Sequence, residues 1–346
     1  MERALNRIWY GGAPTSILLL PLSWLYRAVM AARRVFYEQG WLPSYRINRP
    51  VIVVGNLTVG GTGKTPFVAW LAEKLTERGL RVGILSRGYG SSEATAPRVV
   101  EPSSAWQQVG DEPLLLRQRT GCDVVVSVDR ATGAELLAQR GADVIVCDDG
   151  LQHLRLARDL EIVVIDGARG FGNGRLLPAG PLREPPSRAA LANLVVINGR
   201  PEHASITRLP TSRDLPPVQM SLSPGRVLPV AGVRADRALE SFRGQRVHAV
   251  AGIGNPWRFF ADLRGRGLDI VEHAFPDHHP FTAADLDFGD AQPVLMTEKD
   301  AVKCRAFADA RAWYVPVTAR FSDAHSAELL EKIAGTLGRR VDAVVR

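Results

Sequence analysis

Between residues 51 and 198 short apolar, β-branched runs alternate with amphipathic stretches. The runs at 51–54, 82–85, 124–128, 144–147, 162–165 and 194–197 are continuous in hydrophobicity and read as buried strands. Between the first two, Phe67, Val68, Leu71 and Leu75 recur at helical spacing and Gly79 supplies a stop, which predicts a helix over 67–78. Further helices are expected at 113–119 and 131–140. Strand and helix in alternation predict an α/β fold, a mainly parallel sheet flanked by helices, with right-handed crossovers that bring the loops after the strands to one edge. Residues 201–232 are rich in Pro and lack periodicity, so a linker or irregular connection is expected there. A second α/β stretch follows, with strands at 247–251, 294–296 and 313–317 and helices at 256–263 and 324–337. The expected organisation is a membrane-associated N-terminal region over 1–45, a phosphate-binding domain over 46–232 and a smaller α/β lobe over 233–346.

The N-terminal pattern differs. Residues 8–26 contain no charge and include Trp9, Tyr10, Trp24 and Tyr26, with Arg7 before them and Arg27, Arg33 and Arg34 after. A spanning helix needs about 20 apolar residues. This stretch has the length, but it holds Gly11, Gly12, Pro14 and Pro21 and is flanked by positive charge on both sides. A helix lying in the interface, aromatics at headgroup level and Arg toward anionic lipid, fits better than a span. The plainer alternative is a core helix packed on the following domain. Composition adds to this picture. The net charge is +7, and the first fifty residues carry +5 of it, seven Arg against Glu2 and Glu38. Only five residues are Lys, so the basicity is almost all Arg, which suits phosphate-bearing partners. Cys122, Cys147 and Cys304 stand far apart without a C-x-x-C, so neither a zinc site nor a disulfide framework is indicated, and a reducing cytosol is the expected compartment.

The chemistry centres on the stretch from Gly55 to Pro66, which contains Thr58-Val59-Gly60-Gly61-Thr62-Gly63-Lys64-Thr65. Strand, Gly-rich loop, Lys-Thr and helix form a phosphate-binding loop in its required context. Glycines let consecutive amides turn onto a phosphate and the helix N-terminus adds its dipole. Lys64 can reach the β- and γ-phosphates of ATP, and Thr65 can offer a hydroxyl to Mg²⁺. Thr58 occupies the place of the motif's first Gly, with Gly60 and Gly61 supplying flexibility. The strand at 144–147 ends in Asp148 and Asp149, as in a Walker B element that holds Mg²⁺. Gly110-Asp111-Glu112-Pro113 puts two acids at a helix start, as a cap or as chemistry. Arg87 and Tyr89 after the second strand either bind phosphate or sugar or close a turn, and Asp129-Arg130 poses the same choice. Residues 170–185 form a long Gly/Pro-stiffened loop of the kind that binds or covers ligands. Asp277-His278-His279 offers an imidazole near the site or a packed one. Gly252-Ile253-Gly254 lacks the third Gly of a dinucleotide fingerprint, since residue 257 is Trp. Thr297-Glu298-Lys299-Asp300 is not a guanine reader, because Asp follows Lys directly.

Together these motifs resemble the tetraacyldisaccharide 4′-kinase family of Gram-negative bacteria. The matching words are 55–66, 86–90, 110–113, 148–153, 170–185, 252–260, 277–278 and 296–304, in the family's order over about 250 residues. Thr58 is the family's habit. The resemblance implies a two-lobed α/β kinase of the P-loop type that moves the γ-phosphoryl of ATP onto the 4′-hydroxyl of an acylated glucosamine disaccharide 1-phosphate to give lipid IVA, peripherally bound to anionic phospholipid on the cytoplasmic face of the inner membrane. Carried over by residue, it implies Lys64 and Thr65 at phosphate and Mg²⁺, Asp148 and Asp149 as Walker B acids, Asp111 as catalytic base and His278 as its partner. It further implies contacts with substrate or metal from Tyr89, Arg130, His153, Arg183 and Glu184. A membrane-associated switch ATPase or GTPase is the alternative. Against it stand Val59, where the partition-type loop has its signature Lys, and the missing guanine reader. A nucleic-acid binder is not expected, because the basic residues are not interleaved with aromatics in any recognised module.

Overall fold

The computed structural model describes residues 8–11, 14–89, 96–207, 209 and 216–345. Strands β1 (Val51–Gly55), β2 (Val82–Ser86), β3 (Arg98–Val100), β4 (Asp123–Val126), β5 (Val144–Asp148), β6 (Leu160–Asp166), β7 (Leu194–Asn198) and β8 (Val218–Pro224) build most of a large sheet. Strands β9 (Leu228–Pro229), β10 (Arg246–Ala251), β11 (Asp269–Ala274), β12 (Val294–Thr297) and β13 (Ala312–Val315) form a second one, and β14 (Val317–Arg320) returns to the first. The large sheet runs β14-β8-β7-β6-β1-β5-β2-β4-β3 and the small one β11-β10-β12-β13-β9. Pairing is parallel except at the ends: β14 with β8, β3 with β4 and β9 with β13 are antiparallel. β1 lies between β5 and β6, with Val53 opposite Cys147 and Glu161.

Central strands read as unbroken apolar runs because both faces are covered. On one face Ile52 and Val54 meet Phe67, Leu71 and Leu75 of the helix Lys64–Glu77, together with Leu329, Ile333 and Leu337 of the C-terminal helix Asp323–Val345. On the other, Val51 and Val53 meet Leu57, Leu151, Leu137 and Phe171. The parallel order fixes where chemistry can occur. The loops after β1, β2, β5, β6 and β7 share one edge, where chain order reverses around β1.

Three differences from the sequence reading have simple causes. The Pro-rich stretch 201–232 is not merely a linker, since it contains β8, whose residues Val218 and Met220 are buried while Gln219 is exposed. β3 and β11 were not expected. Both are edge strands; β3 is only three residues long, and β11 carries Asp269, Glu272 and His273, which solvent on one side tolerates. The expected strand 313–317 is two strands broken at Pro316, which has no N–H for a ladder. The chain there crosses back, so Val317–Arg320 joins the large sheet and the C-terminal helix packs on it, and β9 belongs to the small one although it precedes residue 233. The two crossings run side by side, with Gly225 N donating to Pro316 O at 2.8 Å.

At the N-terminus a helix runs Leu20–Glu38, and so overlaps only the end of the uncharged stretch. Pro21 sits in its first turn, where a missing N–H costs nothing, and starts the helix rather than breaking it. One face is fastened to the large domain. Ser23 Oγ donates to Leu176 O (2.7 Å), Tyr26 OH to Arg183 O (3.0 Å) and Arg33 to Gln152 O (3.0 Å). The other face leaves Leu22, Trp24, Leu25 and Val29 exposed, with Leu18 just before it 80% exposed. Among the described residues no helix is long and apolar enough to cross a membrane.

Candidate active site

Between the two sheets lies a cleft of about 1300 Å³, lined from one side by residues 59–66 and from the other by Ile253, Gly254, Arg258 and His278. The loop before Lys64 is held from beneath. Asn56, fully buried, donates to Thr58 O (2.7 Å) and Gly60 O (3.2 Å). Asn198, at the end of β7, donates to Thr62 O (3.0 Å). Val59 N donates to Pro181 O (2.8 Å) and Arg183 N to Leu57 O (2.7 Å), so the long 170–185 loop is stitched to the phosphate loop. Arg169 donates to Gly61 O. Gly63 caps the helix with φ +91°, a left-handed conformation, and a Cβ there would collide with Asn198 Nδ2. Thr58 is buried and bridges Leu182 in antiparallel fashion, which is a structural place for the residue that departs from the motif.

Asp148 ends β5 and is buried, and its Oδ1 has no hydrogen-bond partner among the described residues. Burial and the neighbouring Glu112 carboxylate push the Asp148 carboxyl up to about 7, against the pull of Lys64. Asp149 is the opposite case. Its two oxygens lie 2.9 and 3.1 Å from Arg183 Nη1, and Lys64 Nζ is 3.5 Å away. Burial alone would raise its pKa, but Lys64 and Arg183 outweigh that and hold it below the usual carboxylate range. Two adjacent acids at a strand end are thus set apart by environment, one matched with cations and one left with an open oxygen.

Asp111 begins the helix Asp111–Thr120 and is 2% exposed; its neighbour Glu112 and its partner His278 line the cleft, with Asp111 behind them. His278 comes from the small lobe, at φ +59°, and its Nδ1 lies 3.1 and 3.0 Å from the two Asp111 oxygens. The Tyr89 ring sits 5.0 Å from the His278 ring. Gly110, not Asp111, is the helix cap, and no side-chain cap hydrogen bond is made. Burial works against ionisation of both partners. The His278 hydrogen bond and nearby Lys299 nevertheless leave Asp111 below its ordinary value, while Asp111 raises His278.

The remaining expected residues divide. Tyr89, His153 and Arg183 line the cleft. Burial, with Arg130 and Arg87 nearby, pushes His153 down to about 4, so its imidazole is neutral at pH 7. Arg130 is buried beside the end of β5 and donates to the Asp148 backbone carbonyl (3.2 Å). Glu184 accepts from Gln152 (2.7 Å) and pairs with Arg188 (3.3 Å), one layer behind the cleft. His279 turns away to Asp285 (3.3 Å). Sequence reasoning passed over Lys299, whose Nζ lies 2.9 Å from Glu112 and 3.3 Å from both Asp277 and His278. Arg258 was also missed, an exposed-looking helix residue that reaches Asn198 at 3.2 Å across the cleft.

The cleft is lined by the glycine-rich loop and Lys64 on one side and on the other by His278, whose imidazole bonds the buried Asp111 carboxylate. Fold and cleft together are those of a P-loop phosphotransferase. The pattern that defines the family described as Tetraacyldisaccharide-1-P 4′-kinase matches residues 15–334. The chain is 49% identical over 326 residues to the tetraacyldisaccharide 4′-kinase of Xanthomonas euvesicatoria, covering 94% of each chain. It is 53% identical over 304 residues to that of Alkalilimnicola ehrlichii, covering 87% of this chain and 88% of the other. The structure of LpxK from Aquifex aeolicus, determined in complex with ATP, is similar with a TM-score of 0.74 and 29% identity over 93% of this chain and 99% of that one. The protein belongs to the tetraacyldisaccharide 4′-kinase family.

Proposed function

We infer that the protein transfers the γ-phosphoryl group of ATP to the 4′-hydroxyl of a tetraacyldisaccharide 1-phosphate, giving lipid IVA in lipid A biosynthesis. The observation that carries this is identity of about half, over nearly the full chain, to kinases of that name. The switch-protein alternative has no such support.

In the mechanism we propose, the amides of residues 59–64 and the Lys64 ammonium bind the β- and γ-phosphates and stabilise charge on the transferring group. Asp111 accepts the 4′-hydroxyl proton as the new P–O bond forms and the bond to the β-phosphate oxygen breaks, leaving ADP. His278 orients the carboxylate. Tyr89 and His153, which line the cleft together with Arg33 and Trp9, would contact the acceptor. Arg183 holds Asp149, while Arg130 and Glu184 act from behind the cleft wall. Mg²⁺ fits this donor set: Asp148 has a buried carboxylate oxygen without a partner among the described residues, and Thr65 lines the same cleft. Asp148 and Thr65, with Asp149 beside them, would hold the ion, and it would neutralise phosphate charge. An acceptor whose 4′-hydroxyl is replaced by hydrogen tests the reaction. It should bind and yet leave ATP consumption at the background rate; ATP consumption matching that with the true acceptor would point to a hydrolase.

We also propose that the exposed apolar residues of the N-terminal helix seat the enzyme on anionic phospholipid, at the cytoplasmic face of the inner membrane, where an acylated acceptor resides. Each exposed Leu can contribute on the order of 1.5–3 kcal/mol when fully buried, and flanking Arg adds attraction that salt screens. Leu22→Gln with Leu25→Gln should therefore cut binding to phosphatidylglycerol vesicles at least about tenfold without unfolding the protein, since neither residue is in the core. Unchanged sedimentation with vesicles would remove this surface from consideration.

A further inference from the structure

Behind Asp111 lies a second ion pair that the mechanism above does not use. Lys303 and Asp300 sit one turn apart on the helix Glu298–Cys304 of the small lobe, and both side chains are fully buried. Their charged atoms are 2.9 Å apart. Removing two charges from water is costly, and an apolar pair of the same volume commonly does as well for stability. The surroundings of this pair show what it touches. Lys303 Nζ is 3.7 Å from Asp111 Oδ2, across the lobe boundary, and 5.0 Å above the Phe281 ring. Asp300 Oδ2 accepts from Thr297 Oγ1 (2.6 Å) and from Gly252 N (2.9 Å). Gly252 opens the turn whose Gly254 lies over the phosphate loop, where a Cβ would come within 3.2 Å of Gly61 N. One buried pair therefore touches the base on one side and, on the other, the turn that covers the phosphate loop.

We propose that Lys303 and Asp300 are positioning residues for phosphoryl transfer, with Lys303 fixing the Asp111 carboxylate against the closed small lobe and Asp300 tying that contact to the Gly252–Gly254 turn. This rests on Asp111 as the base. The groups facing Asp111 from the small lobe are His278, Lys299 and Lys303, and Glu112 stands beside it on its own helix. Lys299 is already matched by Glu112 and Asp277. Lys303 has Asp300 and Asp111 alone as acidic partners within 4 Å among the described residues. All three cations come from the small lobe, so the base acquires its charged surroundings only where the lobes meet.

The test uses the full-length enzyme with Lys303→Met. A supporting group behind a reacting one is typically worth about 10–100-fold, and kcat should fall by that amount with the KM for ATP changed less than about threefold. Loss of a nearby cation raises the pKa of a carboxylate, so the acid limb of the kcat profile should move up by about one pH unit. Asp300→Asn with Lys303→Met removes both charges and leaves no lone buried carboxylate, and the same changes are expected there. Added to Asp111→Asn, Lys303→Met should cause little further loss. A folded Lys303→Met protein with unchanged kcat and acid limb, beside an impaired Asp111→Asn, overturns the positioning role alone. An Asp111→Asn protein of normal kcat overturns the base and this inference together.

Discussion

Asp111→Asn is expected to lower kcat by about 10²–10⁴, the range for loss of a general base, while ATP affinity is nearly kept. The substitution retains an acceptor oxygen for His278 and the shape of the side chain. Folding should survive it, because Gly110 is the helix cap and the amide keeps the size of the carboxylate. Lys303 keeps Asp300, and His278 can shed its proton. His278→Ala should cost less, and the double variant should lose less than the product of the two, since residues acting as a unit are not additive. The pair also has a pH signature. Asp111 lies below its ordinary value, so its contribution to stability is present above the unfolded carboxylate pKa of 3.8 and is lost only as pH falls through the lower folded value. His278 lies above 6.5, so its contribution is complete below 6.5 and is lost as pH rises through the raised value. In Asp111→Asn the His278 imidazole should titrate at lower pH than in the parent, by NMR. A folded Asp111→Asn enzyme with near-normal kcat would take Asp111 out of the mechanism.

Lys64→Ala is expected to lower kcat/KM by about 10³, the effect of removing a charge aimed at the transferring phosphoryl. The ammonium is 3.5 Å from Asp149, within the cleft that the phosphate loop lines. Asp149 keeps its two-oxygen contact with Arg183 in the variant, so the acid pair should stay in place and thermal stability should change little. Single-turnover measurement with saturating acceptor separates the loss in chemistry from the loss in ATP binding. Retention of more than about a tenth of parent kcat/KM would mean that the loop does not seat the reacting phosphates.

The central sheet was legible because its strands are buried on both faces and its helices carry a one-sided apolar stripe. β8 and β14 were not, for a local reason. β8 alternates Val-Gln-Met at the rim of the sheet, inside a segment whose prolines read as a linker, and β14 is separated from β13 only by Pro316. No single-sequence pattern announces that the chain crosses between sheets there. The glycine-rich loop was legible from spacing, since strand, loop and helix are contiguous, and so was the strand that ends at Asp148. The contact of Asp111 with His278, 167 positions apart, rested on resemblance. Residues alone left Asp111 as a cap or as chemistry, and His278 as an imidazole near the site or a packed one. Lys299 and Lys303 were hidden more thoroughly. They sit in a charged stretch that looks like a solvated helix face, and only the meeting of two lobes turns that face inward.

The most direct measurement follows the phosphorus atom. Purified enzyme would be incubated with γ-³²P-ATP, Mg²⁺ and tetraacylated glucosamine disaccharide 1-phosphate in mixed micelles, and the lipid product isolated and its phosphate positions assigned by ³¹P–¹H correlation. The expected result is a bisphosphate lipid labelled only at the 4′-oxygen. Label released as inorganic phosphate, or a lipid labelled at the 1-phosphate or any other hydroxyl, would contradict the assignment.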